Sequence, residues 1–156
     1  ALGVDPFEPH AMQNKPRNMN EKIYKGLNAF LIGYPIIMIA VVLGLFAFSY
    51  FRSGNLAQGQ TAVFLTIAMF EMYQAFAARS VRYPSLKVGL FRNKFLIGAV
   101  ILSMIICLSV IYVPLLQTIF KTVALSISEL VIIIALSSLG FIYLEIHKYL
   151  TSRKAS

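Results

Sequence analysis

A single cysteine, Cys107, stands in the whole chain, and it falls inside an apolar run. That excludes an intrachain disulfide and any metal centre built from several thiolates, and it leaves Cys107 as a small packing residue. Charge is equally scarce: 13% of the 156 residues are Asp, Glu, Lys or Arg, about half the ~25% usual in a soluble domain. Acids are the rarer sign, six against fourteen bases. The two histidines, His10 and His147, have no second histidine at metal spacing. The chain has no hydrolytic triad and no phosphate-cradling glycine loop, so nothing in these residues hydrolyses ATP. It opens at Ala1 without a basic segment leading into a short apolar core, so no secretory leader is expected.

What is present is apolar. Hydrophobic residues make up 58% of the chain and the mean hydropathy is +0.75, more than a soluble domain of this size could cover. The expected fold class is all-α, an integral membrane bundle of four transmembrane helices. The net charge of +8 does not point to nucleic acid, because the bases sit in loops between apolar spans, the pattern of cytoplasmic loops.

Residues 1–25 read as a cytoplasmic loop and lead-in, with Pro6, Pro9 and Pro16 against a continuous helix. The membrane domain covers 26–150, with spans at about 27–51, 61–78, 95–113 and 126–145, each near the ~20 residues that cross a ~30 Å core. Pro35 should break the first span. The apolar connection Leu115–Val123 is expected at the membrane surface or under the helix ends. Residues 151–156 form a basic cytoplasmic tail. Four spans put both termini on one side. Twelve of the fourteen bases fall on that side, and only Arg52 and Lys121 on the other. The positive-inside rule therefore assigns both termini and the 79–94 loop to the cytoplasm.

Within this scaffold one carboxylate stands out. Glu71 lies near the middle of the second span, where an ionised group costs ~2.5–3.5 kcal/mol or more and by default marks an ion or proton path. Gln74 and Ala75 share its helical face, and carboxylate with amide oxygen suits a hard cation such as Ca²⁺. The plainer reading is a structural glutamate hydrogen-bonded to a neighbouring helix. One carboxylate cannot complete a calcium shell of ~6–8 oxygens, so further ligands have to come from outside these spans. Glu129 has capping-box spacing from Ser126, and Glu145 is placed to pair with Lys148 three residues on. Gly33, Gly44 and Gly98 permit close helix contact, and most tyrosines fall near span ends, where they anchor.

The segments Ala1-Leu2-Gly3-Val4-Asp5-Pro6 and Met12-Gln13-Asn14-Lys15-Pro16-Arg17 resemble the P-type cation-transporting ATPases, in the stretch that follows the sixth transmembrane helix of sarco/endoplasmic-reticulum calcium pumps. Glu71-Met72 with Ala75 is similar to the eighth helix of those pumps. Leu102-Ser103-Met104, Tyr112-Val113, Ile119-Phe120-Lys121 and Ala124-Leu125 are similar to the ninth helix and the approach to the tenth. The resemblance implies the carboxy-terminal helices seven to ten of a cation translocase, with Glu71 as a calcium ligand and Ca²⁺ as the transported ion. It implies that ATP and Mg²⁺ belong to cytoplasmic domains outside this chain. The implied partners are those domains, the remaining transmembrane helices and membrane lipids, with no nucleic acid. Two other readings stay open: a free-standing four-helix accessory or scaffold protein derived from that domain, and a small channel made by self-association around Glu71.

Overall fold

The computed structural model describes residues 27–80, 84, 85, 89 and 91–154, with side chains described to residue 151. The 1–25 loop, including the Ala1–Pro6 and Met12–Arg17 stretches, lies outside the described residues, as do Arg82 and Lys87 of the basic loop. Among the described residues the chain is all-helical: α1 Tyr34–Ser53, α2 Leu56–Ala77, α3 Lys94–Tyr112, the short α4 Pro114–Phe120, and α5 Ile127–Lys154.

The break at Pro35 takes a specific form. A π-helical turn, Ala29–Gly33, precedes α1, and Pro35 occupies the first turn of the α-helix proper. There its missing N–H is not needed by the helix ladder, and the wider turn takes up the mismatch. α1 ends on Gly54, left-handed at φ 66, whose N–H donates to Tyr50 O at 2.8 Å. Asn55 then caps α2, its side chain accepting from Ala57 N at 2.9 Å. The cap starts α2 before the apolar run, so Gln58, Gly59 and Gln60 are helical. Asn93 caps α3 in the same way through Leu96 N.

Among the described residues three segments are long and apolar enough to cross a membrane: Ala29–Ser53, Lys94–Tyr112 and Ile127–Thr151. α2 is equally long at 22 residues but more polar. It is also the helix with neighbours on most sides, packing against α1, α5 and α3. Two clusters form the core. Leu45, Leu65, Met69, Ile111 and Ile133 fill one; Ala29, Tyr34, Phe70, Ala77 and Leu144 fill the other. Outward residues such as Ile36, Leu43, Phe95, Ile101 and Val131 are exposed apolar surface, as a bundle solvated by lipid tails requires.

Of the expected close-packing glycines, Gly33 does meet a neighbour, the ring of Tyr143. Gly44 and Gly98 face open space, while Gly59 lies under Phe46 and Gly140 under Phe70 and Tyr34. α4 has no buried residue, and Leu115, Ile119 and Phe120 are all exposed. The polar atoms around it are tied to the bundle: Thr122 Oγ1 donates to Val110 O at 2.6 Å, and Val123 N donates to Thr61 Oγ1 at 3.1 Å.

Candidate functional site

The turn of α2 that carries Glu71 is held from behind. Phe70 is fully buried. The Tyr34 ring meets it edge-on with centroids 5.7 Å apart, and the Tyr34 hydroxyl donates to Phe70 O at 2.6 Å. α5 approaches the same ring at Gly140, where a Cβ would stand 2.7 Å from both Phe70 and Tyr34. Tyr34 is thus an interior strut, although its place near a span end suggested an anchor. Glycine at 140 is what lets three helices meet at this level.

With its back fixed by α1 and α5, the helix turns Glu71 outward. Gln60, Phe64, Ile67 and Glu71 are all exposed, and their spacing of three or four residues draws one stripe along α2, which exposed Ala78, two turns beyond Glu71, continues at the helix end. Gln74 and Ala75, expected on the Glu71 face, are half-buried beside it. Among the described residues Glu71 accepts no hydrogen bond and forms no ion pair. No group of three or more His, Cys, Asp or Glu residues gathers anywhere among them. As it stands, the site is one carboxylate on an uncovered helix face.

Among the described residues the other two carboxylates, Glu129 and Glu145, are engaged. Glu129 closes the capping box: its Oε2 accepts from Ser126 N at 2.9 Å and Ser126 Oγ at 2.8 Å, while Glu129 N donates to Ser126 Oγ at 3.3 Å. Oε1 accepts from Gln58 Nε2 at 2.8 Å, tying the start of α5 to that of α2. Glu145 pairs with Lys148 at 2.9 Å. Lys148 is buried, and its ammonium also donates to Ala77 O at 2.6 Å and lies 5.5 Å from the centre of the Phe30 ring. Ser85 adds two hydrogen bonds to Glu145, from N at 2.6 Å and from Oγ at 2.7 Å. This knot fastens the carboxy-terminal end of α2 to α5. The i,i+3 spacing revealed its ion pair, but nothing local in the sequence points to Ser85 or to Ala77 O.

Comparison with known proteins adds a family. A model described as the C-terminus of cation transporting ATPases matches residues 1–150. The chain is 31% identical to calcium-transporting ATPase 1 of Yarrowia lipolytica, with 100% of this chain and 17% of that protein aligned. It is 31% identical to calcium-transporting ATPase type 2C member 2 of Mus musculus, over 95% of this chain and 16% of the relative. It is 33% identical to a calcium-transporting ATPase of Bacillus subtilis, over 89% of this chain and 16% of the relative. The chain thus spans about a sixth of the length of the curated relatives it matches.

Proposed function

The chain belongs to the cation transporting ATPase C-terminal family and is an integral, multi-pass membrane protein; from that premise we propose that it is the carboxy-terminal membrane domain of an ATP-driven calcium pump. α2 crosses the membrane with α1, α3 and α5, giving four spans with both termini and the 79–94 loop in the cytoplasm. Residues 1–25 lie on the cytoplasmic side, where phosphorylation in other domains is coupled to the helices. Glu71 donates carboxylate oxygen to the transported Ca²⁺, and the other oxygens come from helices outside this chain.

The observation that carries the reading is the uncovered stripe on α2, with Glu71 in it. A carboxylate left against lipid at mid-depth costs several kcal/mol. A hard cation with oxygen ligands from further helices offsets that cost. The relatives' names supply calcium as the ion, and a short stripe that is apolar apart from Glu71 and Gln60 is a surface suited to helix docking.

Glu71→Gln in the full-length protein keeps the shape and removes the charge. Apparent calcium affinity, read from calcium-dependent phosphoenzyme formation, should fall at least about tenfold, or ~1.4 kcal/mol. Phosphorylation from inorganic phosphate without calcium should persist. Parent-level calcium affinity in the variant would remove Glu71 from the ligand set.

A further inference from the structure

On the outside of the bundle, away from Glu71, α1 and α5 leave a groove of about 530 Å³ lined by Ala40, Gly44, Leu45, Phe48, Ile132 and Leu136. We propose that this groove seats one acyl chain of an anionic phospholipid whose phosphate is held by Arg52.

Gly44 makes the floor. It is exposed, and a Cβ there would meet nothing within 4 Å, so the hollow exists because glycine leaves it. Phe48 forms the end of the groove, and Arg52 follows one turn later on the same face of α1. The Arg52 guanidinium lies 5.9 Å from the Phe48 ring centre, a cation–π distance that parks it above the groove mouth. Arg52 is exposed and makes no ion pair among the described residues. Glu129 lines the adjoining polar cleft, and its negative charge acts on Arg52 across it; the two make no ion pair, and the Glu129 oxygens accept from Gln58 and Ser126.

Dimensions favour a lipid over a second helix. From Ala40 to Arg52 is twelve residues, about 18 Å along the axis, close to one leaflet of a ~30 Å core. A transmembrane helix would need a seat along the whole span, yet Ile32 in the π turn and Ile36 and Ile39 in the first half of α1 project outward. A single hydrocarbon tail fills a half-depth groove and brings its phosphate to guanidinium level, where arginine binds phosphate through paired donors.

The test is native mass spectrometry of the full-length protein in mild detergent, titrated with phosphatidylglycerol or phosphatidylcholine. The parent should retain one phosphatidylglycerol in preference to phosphatidylcholine. Arg52→Gln should reduce that preference about fivefold, the upper end for one solvent-exposed ion pair. Gly44→Leu starts from an open Cβ position, projects its side chain into the groove and should abolish retention of both lipids. Gly98→Leu, an equally open position on α3, is the control and should bind as the parent does. Unchanged retention in Arg52→Gln and Gly44→Leu would overturn the proposal. So would a stoichiometric small membrane polypeptide released by Gly44→Leu, which would make the groove a helix seat.

Discussion

Gly140 and Gly44 are the same residue type in two helices, and the structure gives them opposite sensitivities. At Gly140 an added methyl would stand 2.7 Å from atoms of Phe70 and Tyr34, both buried ring systems that cannot swing away. Gly140→Ala should cost ~1–3 kcal/mol as overpacking, seen as a lower thermal unfolding midpoint in detergent. Gly44→Ala meets open space and should be neutral or stabilising by up to ~1 kcal/mol, since alanine restricts the unfolded chain. Lys148 is sensitive for a different reason. Lys148→Met leaves the Glu145 carboxylate, mostly buried, with Ser85 alone. Breaking a buried pair on one side costs ~3–5 kcal/mol, more than replacing both partners. The double variant Glu145→Gln/Lys148→Met should therefore unfold at a higher temperature than Lys148→Met alone. The reverse order would mean that the pair contributes little here.

At the level of elements, the helices were readable to the degree that their causes are local. Ser126 and Glu129 announced the start of α5 because a capping box needs only residues three apart. The Glu145–Lys148 pair was readable for the same reason. Pro35 marked a break in the first span, but not its form: the sequence shows neither the π turn nor the approach of Tyr143 of α5 to Gly33 within it. The polar residues of α2 were visible, and so was its standing as the helix the rest of the chain holds, but not which helices surround it. A helix surrounded on several sides needs less apolar surface to remain in the membrane, and no window of sequence contains its neighbours. Glycine roles were the least legible. Gly33, Gly44, Gly98 and Gly140 look alike in the chain, and only the contacts made by other helices separate a tight crossing from a groove.

For the whole molecule, the charge count makes a topological prediction. With Cys107 replaced by serine, a cysteine at Asn55 should react with an impermeant maleimide added from the non-cytoplasmic side. A cysteine at Arg92 should react only after the membrane is opened. Labelling of both from one side would mean that α2 does not cross, leaving the three spans that are apolar by composition alone.

The bond from Tyr34 to the Phe70 carbonyl also bears on timing. It grips the main chain of α2 rather than any side chain of the outward stripe, and the ring beside it is wedged against Gly140. The backbone that carries Glu71 is thus tied to both α1 and α5, so a shift of that turn has to strain or break these contacts. Under the proposed role in a calcium pump, the cargo has to be held tightly in one stage and loosely in another. If this wall does not yield, the loosening is the task of the groups that face it, and the stripe on α2 is the fixed reference against which they move.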